Sequence, residues 1–146
     1  MTALTIDSFF YNALRSSASV MDATSGRIFN PARPEIDEEE DLIPYIIISN
    51  EGVQNDQGTK DDSFESDYDT ATVKVLICAD DRETLGELSE LVRDTIVEYA
   101  RQAEDEPMQV GASLTDYRFS SGPVQYDSMK PCCFVEFAYS CETENL

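Results

Sequence analysis

The stretch "TATVKVLICADDRETLGELSELVRDTIVEYARQA", Thr70 to Ala103, decides the fold. Its first part alternates. Ala71, Val73, Val75 and Ile77 share one face of an extended chain, because successive strand side chains point to opposite sides. Leu76 and Cys78 make the far end apolar on both faces, which predicts that this end is sandwiched between layers. From Arg82 the period changes to that of a helix. Leu85, Leu88, Leu91, Val92, Thr95, Ile96, Tyr99, Ala100 and Ala103 form one continuous face, with Glu and Arg on the other. Asp80 is placed to cap this helix, with Glu83 three residues on completing a capping box.

Working outward, Ile6, Phe9, Phe10, Ala13 and Leu14 make the stripe of an amphipathic helix, with Thr5 as N-cap. "SGRIFNPARP" predicts a short extended piece around Arg27–Phe29 before two prolines, and "LIPYIIIS" a central strand over Tyr45–Ser49. Beyond Pro107, "SLTDYRF" (Ser113–Phe119) and "PCCFVEFAYSC" (Pro131–Cys141) alternate as strands, and Ser-Gly-Pro between them marks a turn. The order expected is α, β, β, β, α, β, β, without an internal repeat. The fold class is therefore a single α/β (α+β) domain over residues 1–146, with a mixed sheet of about four to five strands packed against two helices. A long acidic loop is expected at 50–69.

That loop, "SNEGVQNDQGTKDDSFESDYD" from Ser49 to Asp69, has one lysine and almost nothing to bury. Loops of such length in a small domain are usually functional or disordered. Acid dominates the whole chain: 30 Asp and Glu against 10 Lys and Arg, a formal charge of −20. It peaks in the loop and in "EIDEEEDL", Glu35–Leu42. Such a charge opposes attraction to phosphate backbones and anionic lipid. The N-terminus has no basic n-region and no apolar run nears the ~20 residues of a membrane span, so a soluble, unprocessed product is expected. Cys78, Cys132, Cys133 and Cys141 are read as reduced, packed thiols, because their spacing is unlike a secreted disulfide framework.

Catalysis is disfavoured by residue type. The chain has no histidine, which removes the commonest general base, the serine triad and the usual zinc sets. Asp61, Asp62, Glu65 and Asp67 could bind Mg²⁺ or Ca²⁺ through oxygen only if held convergently, and a solvated charge run is the better reading. An EF-hand fails, since Gly58 at the turn position puts Val53 first and Phe64 last among the ligands. Adjacent Cys132 and Cys133 on a strand would face opposite ways, a poor metal clamp. No phosphate-binding glycine motif occurs. Tyr117, Phe119, Tyr126, Phe134, Phe137 and Tyr139 lack the basic groove of a base-stacking platform and read as core and interface aromatics. No catalytic, cofactor-binding or metal residue is assigned. The residues singled out for interaction are Glu38, Glu39, Glu40, Asp61, Asp62, Phe64, Glu65, Asp67 and Tyr68, where Phe64 and Tyr68 either meet a partner or fold back on the domain.

The N-terminal helix, "SGRIFNPARP", the Pro-Tyr strand "LIPYIIIS", the polar excursion and "ATVKVLICADDRETLGELSELVRDTI" together resemble the tail-terminator (tail-completion) proteins of long-tailed bacteriophages, over roughly Ile6 to Tyr99. The resemblance implies a virion protein that assembles as a ring, usually a hexamer, on the head-proximal end of the tail tube. Such a ring stops tube polymerisation and joins the head through connector (neck) proteins. It carries no catalytic residues or cofactor. The acidic loop is then expected to be an arm toward the lumen or onto a tube or neck neighbour, ordered on assembly. Competing expectations are an acidic DNA mimic that occupies a DNA-binding enzyme, another head–tail connector ring, and, third, a carboxylate-metal phosphotransfer enzyme.

Overall fold

The computed structural model describes residues 6–30, 43–54, 68–105, 116–127 and 132–144. Along them run α1 (Asp7–Arg15), α2 (Ala18–Thr24), β1 (Ile28–Phe29), β2 (Tyr45–Gln54), β3 (Tyr68–Ala79), α3 (Arg82–Asp105), β4 (Asp116–Ser121), β5 (Gln125–Asp127) and β6 (Cys132–Glu144). The strands form one sheet in the order β1-β2-β3-β6-β4, with β5 also paired to β6. β1 is parallel to β2 and every other pairing is antiparallel. The class is α+β as expected, with six strands and three helices.

The alternation in β3 positions everything else. Ala71, Val73, Val75 and Ile77 are fully buried on one face. Their neighbours on that face are Ile46 and Ile48 from β2, and Val135, Phe137, Tyr139 and Cys141 from β6. α1 and α3 cover this face, and α2 packs on both of them. From α3 come Leu85, Leu88, Val92, Ile96 and Ala100, all buried; from α1, Phe9, Phe10, Ala13 and Leu14. Each fully buried large side chain contributes about 1.5–3 kcal/mol before conformational entropy is set against it. Aromatic contacts tie the layers: Phe9 lies 5.0 Å from Tyr99 of α3, and Phe10 lies 5.0 Å from Tyr139 of β6.

Several local features depart from the expectation. α3 is capped by Asp81 instead of Asp80: Thr84 N–H donates to Asp81 Oδ1 at 2.7 Å, and Asp80 is exposed. α1 has Ile6 at its cap position with helical dihedrals and no side-chain cap; Thr5 lies outside the described residues. The helix α2 was not expected. It has seven residues, of which Val20 and Thr24 are buried, too few for a periodic stripe. Its ends are nevertheless well made. Ser17 accepts a hydrogen bond from Val20 N–H, Ser25 is left-handed, and Gly26 at φ 77° donates to Met21 O at 2.9 Å, a helix stop that needs glycine.

β2 and β3 run further into the acidic stretch than predicted. Asn50 to Gln54 and Tyr68 to Asp69, assigned to the loop, are paired strand. Asn50-Glu51-Gly52, placed in the loop by the sequence, is a bulge: Asn50 pairs with Val73 and Gly52 with Thr72, leaving Glu51 extra. Gly52 takes φ 142° to allow it. The extra residue shifts the alternation by one, so Val53 turns back toward the core and packs on it. β2 is an interior strand, as expected, with β1 beside it at Ile46 and Ile47 and β3 along its other edge. The expected enclosure of the far end of β3 on both faces holds at its last residues, where Ile77, Cys78 and Ala79 are all buried, but not at Leu76, which is half-buried.

Ile77→Ala is expected to lower the unfolding free energy by about 2–5 kcal/mol in urea titrations, since it removes a fully buried side chain from the most enclosed strand. The Asp81 carboxyl is held below its ordinary pKa of 3.8 by hydrogen bonds from the Thr84 backbone and side chain. A lowered folded-state pKa stabilises above the unfolded value and loses that effect as pH falls through the folded one. The thermal midpoint of wild type should therefore exceed that of Asp81→Asn at neutral pH, and the gap should close as pH falls below 3.8.

Candidate functional site

Among the described residues no cluster of three or more His, Cys, Asp or Glu could hold a metal ion, and no helix is long and apolar enough to cross a membrane. Glu38, Glu39, Glu40, Asp61, Asp62, Phe64, Glu65 and Asp67 lie outside the described residues. Tyr68, predicted in the loop, opens β3 opposite Glu144.

The cysteines are free and divide between the faces. Cys133 and Cys141 are buried in the core, where burial first and the nearby Asp81 charge second raise the Cys133 thiol. Cys132 is half-buried on the opposite face, as the alternation predicts, and meets Cys78 there. Burial pushes the Cys78 thiol up to about 12, a side-chain hydrogen bond with Tyr45 pulling the other way. A thiol so placed is a weak nucleophile and a poor ligand near neutral pH.

The aromatics also divide. Phe119 of β4 stacks edge-on to Phe137 at 4.9 Å and lies 5.2 Å from Tyr139, inside the core edge. Arg93 of α3 covers its outer side, with the guanidinium carbon 4.0 Å from the ring centroid. Phe134 is half-buried on the other sheet face opposite Cys78; Leu76 and Ile47 pair on the same face, which also carries the Lys74–Glu136 ion pair at 3.2 Å. Tyr126 of β5 is exposed.

Concavities also lie among the described residues. A shallow one of about 350 Å³ lies between the α1–α2 turn and α3, lined by Ser16, Ser17, Asp94 and Glu98. Both serine hydroxyls are committed to helix ends, Ser16 to Ala13 O and Ser17 to Val20 N–H, so it offers no activated nucleophile. The second, of about 240 Å³, opens between the first half of α3 and the β4–β5 edge, with Leu85, Gly86, Ser89, Val124 and Phe137 in its lining and Arg82 at one end. Beside it stand Val124 and Tyr126, the exposed large apolar side chains among the described residues, at 37% and 64% exposure. The Ser89 hydroxyl is buried without a hydrogen-bond partner, and a Cβ on Gly86 would meet nothing within 4 Å. Sequence periodicity missed this groove, because Gly86 and Ser89 fall beside the apolar stripe of α3 and carry no pattern of their own. An interface is what such a lining suits: apolar, open at a strand edge and with a polar group left unmatched.

No family model matches the chain, and no curated protein matches it in sequence. Among solved structures it is similar to a chain from the virion of a native gene transfer agent particle, with a TM-score of 0.68 at 13% identity, covering 96% of this chain and 95% of that one. The likeness is one of fold.

In native protein a thiol-exchange reagent should modify Cys132 first, leaving Cys78, Cys133 and Cys141 protected until denaturant is added. Cys132→Ser should remove the fast phase of the titration.

Proposed function

We propose that the chain is a structural protein of a phage-like virion, which forms a ring at the head-proximal end of the tail tube. The ring ends tube polymerisation and presents the surface that joins the head. What carries this reading is the agreement of fold, over nearly the full length of both chains, with a gene transfer agent virion chain. The resemblance of the element order to tail terminators supports the finer role and a hexameric ring, with the tube protein and the neck connector as partners.

The charge fits this role on physical grounds. Duplex DNA carries about one negative charge per 1.7 Å, and a wall making about 6–10 basic phosphate contacts would hold it tightly. A chain at −20 lines a channel through which DNA slides without being bound. A ring needs self-association that stops, which a heterologous interface achieves when its rotation closes.

One observation favours the second reading, a DNA mimic. Glu83, Glu87, Glu90, Asp94 and Glu98 form an exposed row along α3, fixed on a rigid element as a mimic would need. Arg93 and Arg101 lie on the same helix, and Arg101 pairs with Glu98 at 3.2 Å, which breaks the uniformity of that row.

Particles made without this protein should carry tubes of unregulated, excess length and unjoined heads in electron micrographs, and supplying the protein in trans should restore both. A mimic would leave tube length unchanged on removal, and that result would sink the ring reading.

A further inference from the structure

The flank of α3 that borders the β4–β5 edge differs from the rest of this acidic chain. Arg82, Gly86, Ser89 and Arg93 recur at helical spacing along it, a stripe without a carboxylate. Arg82 lies at one end of the 240 Å³ groove, while Arg93 stands a turn beyond its Ser89 wall, over Phe119. Neither arginine forms an ion pair among the described residues. Between them the groove is apolar, the helix is bare at Gly86, and the Ser89 hydroxyl has no partner. β4 and β5 form the sheet edge here, with Val124 and Tyr126 exposed on it. These features fit an extended acidic segment carrying a large apolar side chain: guanidinium groups for carboxylates, the groove for the apolar group, and the strand edge for backbone hydrogen bonds.

This chain contains such a segment. "DDSFESD", Asp61 to Asp67, sets Phe64 between Asp61 and Asp62 on one side and Glu65 and Asp67 on the other. The register shows that a copy cannot fill its own groove. Tyr68 pairs with Glu144, and Phe137 in the groove lies seven residues along β6 from Glu144, about 23 Å at strand rise. Phe64 is four residues from Tyr68, a reach of at most about 14 Å. Resting on the ring reading above, we propose that the Asp61–Asp67 segment of one copy docks into the α3/β4–β5 groove of the next, Phe64 filling the apolar cleft and the flanking acids meeting Arg82 and Arg93. Arm and groove are different surfaces, so the contact is head-to-tail and repeats around a ring.

The test uses the full chain and measures mass by light scattering over a range of concentrations. Two variants cut the two halves of the contact: Phe64→Ser removes the anchor, and Gly86→Gln fills the groove. Gly86→Gln also replaces a mid-helix glycine, so its thermal midpoint should rise, separating blocked assembly from poor folding. Circular dichroism serves the same purpose for Phe64→Ser. Wild type should form a closed oligomer and each variant a monomer. An equal mixture of the two variants should form dimers and stop, because the Gly86→Gln copy keeps its arm and the Phe64→Ser copy keeps its groove. Variants that still close into rings, or a mixture that stays monomeric, would overturn the arm-and-groove contact while leaving the ring intact. A wild-type monomer at every concentration would overturn both. Loss of binding to the tube by Gly86→Gln with an unchanged ring would assign the groove to the tube protein instead.

Discussion

The structure depends on the enclosure of β3. It pairs along its length with β2 on one side and β6 on the other, and its buried face is roofed by α3 and α1. Backbone groups in such a strand are satisfied on both edges, so its side chains are free to supply the core. Ile77, Val75, Val73 and Ala71 all have no exposed surface. The short link through Asp80 and Asp81 then fixes where α3 begins, and the Asp81 cap sets its first turn. With the start of α3 fixed, its apolar stripe can reach the β6 side chains only by lying across the same face.

A one-sided roof has two consequences. The opposite sheet face keeps a half-buried apolar strip of Ile47, Leu76 and Phe134. The roof is also narrower than the sheet, so the β4–β5 edge projects beyond α3 and leaves the groove beneath. The break between β4 and β5 helps to open it. Gly122 still donates to Glu136 O at 2.9 Å, but Pro123 has no N–H to continue the ladder. Val124 and Tyr126 are therefore set at an edge instead of inside the core. Charge follows the same geometry, with carboxylates on the solvent side of α3 and Arg82 and Arg93 on the flank facing the edge.

The fold was legible wherever one face of an element is buried and the other is wet. That condition holds for α1, for β3 and for most of α3, where Phe9 and Leu14, Val73 and Ile77, Leu85 and Ile96 were expected on the core face and are buried, while Leu91, Thr95 and Tyr99 of the α3 stripe are half-buried. It fails for α2 and β5, which bury too little to leave a period. It misleads at Asn50-Glu51-Gly52, where polar residues read as loop form a bulge within a strand, and at Asp80-Asp81, where two adjacent carboxylates are equivalent in sequence. Phe64 and its flanking acids stood out as an interaction segment. The groove proposed to receive them did not.

The sequence by itself determined the class of the domain, the face of each long element that is buried, and the absence of histidine chemistry, because all three follow from residue type and local period. Only the tertiary structure decided which edge is left open, that Arg82, Gly86, Ser89 and Arg93 border it, and that the groove lies well along β6 from the point where Tyr68 enters the sheet. Those facts depend on strand order and register, which are set by contacts between residues distant in the chain and leave no local mark.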